Sequence, residues 1–275
     1  MKHLDLDIME DTNDTVPPNP LPILVQSPHL ETLNAYCLDL SWPEFCQCDC
    51  SSLKKLEIGM LSEATVGQFI GRMPLLEECE FTSTSGFTAD AEPASGAVYP
   101  SSLRRLIIWL EHSCPAEAWK TLYTPHLTSL SLYVADAASE GTLKEISSSL
   151  QRSRAVLREL EISSCYVNEA IDFIYDHPSI THLTIDKEAE DLEEDYEAYL
   201  EGLVTHLTIE QETEFIILGP HLQTLTINIH GTFDPVYSQV FAQDIVEMVK
   251  SRAVGASLPP GVTALQTFTF KIYPE

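Results

Sequence analysis

Three cysteines at alternate positions, Cys46, Cys48 and Cys50, come nearest in this chain to a metal-ligand pattern. Alternate residues of an extended segment share a face, so three thiolates would converge. Structural zinc takes four ligands, usually from C-x-x-C pairs, and no second pair follows. The segment therefore reads as free thiols in a loop, open to oxidation. His182 and His206 fall in two copies of the string THLTI, with Asp186 and Glu210 close by. Paired imidazoles and carboxylates in adjacent repeats would bind zinc or titrate together; duplication of a repeat explains the shared string without a site. Acids dominate Asp186 to Glu197, a run that would capture a basic tail or form a solvated helix face with Leu192 and Tyr196 on the buried side. There is no phosphate loop, nucleophile elbow or H-E-x-x-H. The expectation is a non-enzymatic protein with no cofactor and no metal.

These residues are carried by a phrase that recurs along the chain: apolar, two residues, apolar, one residue, apolar. The clearest copies are Leu53-Leu56-Ile58, Leu103-Leu106-Ile108, Leu127-Leu130-Leu132, Leu157-Leu160-Ile162, Ile180-Leu183-Ile185, Val204-Leu207-Ile209 and Leu222-Leu225-Ile227. Looser copies are Leu30-Leu33-Ala35, Leu76-Cys79-Phe81 and Leu265-Phe268-Phe270, and Met1-Leu4-Leu6 also fits. First positions advance by 23, 23, 27, 24, 30, 23, 24, 18 and 43 residues. A period in the twenties with an L-x-x-L-x-L core predicts a leucine-rich repeat, one short strand and one return segment per unit. Pro28, Pro74, Pro100, Pro125, Pro178 and Pro220 each precede a phrase, stopping the return segment and favouring extended backbone. Helical stripes are predicted within Leu61 to Met73, over Leu143, Ile146 and Leu150, over Val167, Ala170, Ile171 and Ile174, over Leu192, Tyr196, Tyr199, Leu200 and Leu203, and after Asp234-Pro235. Pro115 to Leu122 reads as a short helix, and the 18-residue step after Val204 as a turn or a brief extended piece.

The predicted fold is α/β: a leucine-rich-repeat solenoid with a curved parallel sheet inside and helices and loops outside. Residues 1–26 read as a first strand and an acidic, proline-rich loop, and 27–275 as the repeat domain of about ten units. The chain has 275 residues and 44% hydrophobic content; 42 Asp and Glu against 15 Lys and Arg give a net charge of −27. Such a surface repels phosphate backbones and anionic lipid, so neither nucleic acid nor membrane is an expected partner. A basic protein partner is permitted. The sequence predicts no signal peptide and no membrane span, which with seven cysteines points to cytoplasm or nucleus.

The strings SPHLETL, YPSSLRRLII, TPHLTSLSL, HPSITHLTI and GPHLQTLTI, then MVKSR and LQTFTFKI, resemble the repeat region of fungal F-box/leucine-rich-repeat proteins over about residues 27–273. The resemblance implies repeats that hold the substrate of a ubiquitin ligase. It implies a ligase scaffold as partner only if an F-box lies upstream, because Leu21 to Leu24 is too short to be one. Leu157-Leu160-Ile162-Cys165 matches the full repeat consensus; most other copies lack Asn or Cys in the last slot.

Strand alternation turns the phrase into a surface map, since residues flanking the core positions point to the concave face. The residues expected to bind a partner there are Tyr36, Arg105, Ile107, Trp109, Tyr133, His182 and His206. Ile107 and Trp109 are expected beside Ser131 and Tyr133, aromatic anchors ringed by polar groups; a loop over Gly86 to Tyr99 would instead cover them. A stand-alone acidic scaffold or inhibitor that sequesters a basic partner is the alternative function.

Overall fold

The buried leucines and isoleucines that open a phrase share a job: six of them each end a tight turn two residues before a strand begins. The computed structural model describes residues 2–5, 26–41, 47–62, 66–83, 102–110, 119–134, 141–163, 167–188, 196–209, 217–230 and 235–273. In these six turns the carbonyl of Ser27, Cys50, Met73, Thr124, His177 or Gly219 accepts the N–H of Leu30, Leu53, Leu76, Leu127, Ile180 or Leu222, at 3.0–3.2 Å. Five of these turns carry proline second, at Pro28, Pro74, Pro125, Pro178 and Pro220. Proline's fixed φ suits that position, and its missing N–H is not needed there. The recurring X-Pro-X-Leu is thus a turn that delivers a leucine to the core.

The chain runs β1 (His3–Asp5), β2 (Thr32–Ser41), β3 (Lys55–Ser62), α1 (Val66–Gly71), β4 (Glu78–Ser83), β5 (Arg105–Leu110), β6 (Ser129–Val134), α2 (Thr142–Ser153), β7 (Glu159–Ser163), α3 (Val167–Asp176), β8 (His182–Glu188), α4 (Tyr196–Leu207), β9 (Thr224–His230), α5 (Pro235–Arg252) and β10 (Thr267–Tyr273). It divides into two compact units. The first is Met1–Thr128 with Ala137–Ala155, the second Ser129–Asp136 with Val156–Glu275.

In the first unit β1 to β5 lie side by side in chain order, all parallel. Leu4, Leu33, Leu56, Cys79 and Leu106 form one rung and Ala35, Ile58, Phe81 and Ile108 the next. In the second unit β6 to β10 do likewise, with rungs Leu130-Leu160-Leu183-Leu225-Phe268 and Leu132-Ile162-Ile185-Ile227-Phe270. The middle and last positions of the phrase are therefore in register within each unit. Strands close by a shared carbonyl: Lys2 O accepts the N–H of both Glu31 and Thr32, Glu31 O those of Lys54 and Lys55, and Lys54 O those of Glu77 and Glu78. Arg158, Thr181 and Gln223 repeat the arrangement in the second unit. These carbonyls would otherwise be orphaned at the sheet margin.

Among the described residues helices occupy five of the return segments. Val66, Phe69 and Ile70 are the buried side of α1, with the Phe69 ring 5.3 Å from Phe81. Leu143, Ile146 and Leu150 bury α2, as Ala170, Ile171, Phe173 and Ile174 bury α3. Phe241, Ile245, Met248 and Arg252 are the buried residues among the described side chains of α5.

One repeat is corrected. The phrase Val204-Leu207-Ile209 is not a strand: α4 continues through Leu207. Leu200, Leu203, Val204 and Leu207 are all buried, an i, i+3, i+4, i+7 stripe. The x-x spacing between Val204 and Leu207 satisfies a helix as well as it satisfies the repeat phrase, and the preceding turn of α4 decides the matter. The sheet neighbour of β8 is β9, and the opening segment supplies the strand β1 that the Val204 phrase does not.

His177, in the turn from α3 to β8, is buried with its ring 4.7 Å from Phe173. Desolvation pushes its pKa down to about 4, against a small opposing pull from Asp176. Between that value and 6.5 the unfolded chain binds the proton and the folded one does not, so stability falls as pH drops through this window. The expected loss is about 2 kcal/mol from pH 6.5 to pH 4. His177→Phe should remove that part of the slope, and urea titrations of both forms at several pH values would measure the difference.

Candidate functional site

Parallel sheets are ordinarily covered on both faces. Here one face of each unit carries the core and the other carries polar side chains in contact with solvent. In the first unit that face holds Thr32, Asn34, Lys55, Glu57, Glu80 and Ile107, half-buried, and Glu78, Arg105 and Trp109, exposed. In the second it holds Tyr133, Glu161, Ser163, Thr184, Asp186, Thr226, Asn228 and His230, half-buried, and Glu159, His182, Lys271 and Tyr273, exposed. The intervening core residues of the two rungs, from Leu33 to Leu106 and from Leu130 to Leu225, are at most 2% exposed. Alternation alone produces this contrast.

Trp109 is the large apolar group of the first face, 37% exposed. Ile107 pairs in register with Glu80, so Trp109, two residues on, reaches Glu80 diagonally. Its indole Nε1–H donates to Glu80 Oε1 at 3.1 Å. On the neighbouring rung Lys55 Nζ stands 2.7 Å from Glu57 Oε1 and 3.8 Å from Glu78 Oε2. At the margin Lys2 and Lys54 both bridge Glu31, and their hydrogen bonds hold its carboxyl down to about 2.

The second face has its own cluster. His230 Nε2 lies 3.0 Å from Asp186 Oδ1, and the imidazole stacks on Tyr273 at 4.6 Å with planes 10° apart. Asn228 Nδ2 donates to Asp186 Oδ2 at 3.4 Å, while Asn228 Oδ1 is buried and meets no donor among the described residues. Ser131 donates to Glu161 Oε2 at 2.9 Å. His230 and Tyr273 lie one rung beyond the three flanking positions of the phrase, so the surface map missed them. The long polar-apolar alternation Thr224 to His230 and Thr267 to Tyr273 was the signal that extends it.

The residues expected to bind separate as follows. Arg105, Ile107 and Trp109 share the first unit's face; Tyr133 and His182 lie on the second unit's. Tyr36 is in β2, where the pairing with β3 shifts register between Ala35 and Asp39, so strict alternation stops before it. Its side chain is outside the described residues. His206 is corrected: it is exposed on α4, off the sheet. His182 has Glu159 and Thr224 as its lateral neighbours, with Thr181 Oγ1 2.9 Å from its Nδ1. The paired-histidine arrangement is therefore not formed.

Among the described residues no three His, Cys, Asp or Glu side chains group to hold a metal ion. Cys48 is buried and Cys50 half-buried. Cys46, Glu210, Asp234, the loop Gly86 to Tyr99 and most of the acidic run lie outside the described residues. Pro115 to Leu122 is described only from Trp119 onward. No described helix is long and apolar enough to cross a membrane.

The chain matches no protein-family model and no curated protein.

Proposed function

We propose that this chain is a non-enzymatic protein-recognition module, a leucine-rich-repeat solenoid of the F-box/leucine-rich-repeat adaptor type, whose open sheet face grips a protein substrate. The observation that carries this reading is the polar, solvent-contacting face of the described parallel strands, with Trp109 set among Arg105, Ile107 and Glu80. An aromatic anchor within a rim of charged and polar groups suits a binding hot spot. Docking to a ligase scaffold belongs to the same reading and depends on an F-box upstream of these repeats. The net charge of −27 favours a second reading, an acidic scaffold or inhibitor that holds a basic partner by charge.

Salt separates the two. Capture that persists from about 50 mM to 500 mM salt supports recognition through packed side chains, and capture that collapses supports charge. Trp109→Ala is expected to weaken partner capture about tenfold while the melting temperature stays within a degree or two, because the ring is partly exposed and truncation at a hot spot costs about 1–2 kcal/mol. Partner capture unchanged in both Trp109→Ala and Tyr133→Ala overturns recognition by this face.

A further inference from the structure

We infer that the Trp109–Glu80 pair takes up one arginine side chain presented by the protein partner, an inference that rests on the recognition role of this face and names the group recognised. The indole Nε1–H holds one carboxylate oxygen of Glu80, at 3.1 Å, which fixes ring and carboxylate relative to each other before anything binds. Among the described residues Glu80 makes no ion pair within 4 Å; Lys55 feels its charge but stands against Glu57 and Glu78. Arg105 sits beside Glu78, one rung from Glu80, and Ile107 lies directly across from Glu80. The pair thus offers a carboxylate oxygen, an aromatic ring 37% exposed and an adjoining aliphatic side chain.

A guanidinium fits that set. It is planar and weakly hydrated, so it lies against an indole while its edge donates to a carboxylate. A lysine ammonium is a compact, strongly hydrated charge that gains less from the ring. The net charge of −27 attracts a cationic segment from a distance and repels phosphates, which selects a basic peptide over a nucleic acid. Preorganisation by the indole hydrogen bond removes part of the ordering cost of binding.

The test uses the full chain labelled with ¹⁵N and the blocked peptide Gly-Gly-Arg-Gly-Gly, with its citrulline and lysine counterparts. The Trp109 indole N–H resonance is assigned by its loss in Trp109→Phe. The arginine peptide should shift it with a dissociation constant on the order of millimolar, the lysine peptide should bind several-fold more weakly, and neutral citrulline should leave it unmoved. Glu80→Gln, which keeps the side chain's shape, should abolish the arginine response. No shift, an equal response to citrulline or lysine, or an unchanged response in Glu80→Gln overturns the assignment. If partner capture still depends on Trp109 and Tyr133 while this titration fails, the arginine assignment alone falls. Capture independent of the whole face overturns the recognition role, whatever the peptide does.

Discussion

Changing Arg252 to Met is expected to cost about 2–4 kcal/mol of stability, because three buried main-chain acceptors lose their donor. The guanidinium is 0% exposed, and the partners it meets are backbone carbonyls. Nε donates to Leu207 O, Nη1 to Gly219 O at 3.1 Å and Nη2 to Leu218 O. Leu207 ends α4, where carbonyls have no partner within the helix. Leu218 and Gly219 lie in the turn before β9, with Gly219 at φ 56°. One side chain at the end of α5 therefore ties together three segments of the second unit. Burial pushes its pKa down to about 10, still far above neutrality, so the cation is present at pH 7.

Methionine keeps much of the aliphatic volume, so the expected loss comes from three buried acceptors left without donors, each worth about 1–3 kcal/mol before relaxation. Replacing a buried ion pair with apolar residues is sometimes harmless because both partners go. Here the acceptors are main chain and cannot be substituted away. Arg252→Lys should recover less than half the loss, since an ammonium cannot serve three carbonyls from one planar fork. Urea denaturation should show a lower midpoint for both variants. A cost below 1 kcal/mol for Arg252→Met would mean that water replaces the guanidinium without penalty.

The sequence around Arg252 does not mark it as buried. MVKSR reads as a basic helix end, a place where Lys and Arg usually face solvent and answer the helix dipole. Lys250 does so, 3.2 Å from Glu247. Nothing local distinguishes Arg252; its burial comes from α4 and the turn before β9 converging on it. The strands, in contrast, were legible because each phrase encodes its own geometry. The spacing of apolar positions sets the buried side of the strand, and the proline turn sets where the strand begins. Where two geometries share a spacing the phrase became ambiguous, as at Val204 and Leu207, and His206 was carried off the sheet with them. The solvent-facing side of each strand is legible in the sequence wherever apolar and polar residues alternate. The three flanking positions of the phrase stop short of the His230–Tyr273 stack, because β9 and β10 run longer than the phrase.

Two helical glycines should respond to alanine with opposite sign. Helix propensity alone says that replacing an interior glycine with alanine gains about 0.5–1 kcal/mol. Gly202 in α4 should behave so: an added Cβ would meet Val167 Cγ2 at 3.5 Å, an ordinary contact. Gly67 in α1 should do the reverse. A Cβ there would lie 2.3 Å from Thr121 O and 2.5 Å from Thr121 C, closer than real atoms approach. The obstacle is backbone, so no rotamer change relieves it. Thr121 follows Trp119, which is fully buried and whose carbonyl accepts the Leu122 N–H and the Ser149 hydroxyl, so the segment is held on its far side. The helix must then move instead, drawing Phe69 from Phe81 and Val66 from the core. The steric cost outweighs the propensity gain: Gly67→Ala is expected to lose about 2 kcal/mol and Gly67→Val about 3 kcal/mol, at the upper end for overpacking. Thermal and urea denaturation of the three variants side by side would decide it. A stabilised Gly67→Ala would mean that α1 slides freely over Thr121, and the tight packing of this return segment against the first unit's sheet would have to be abandoned.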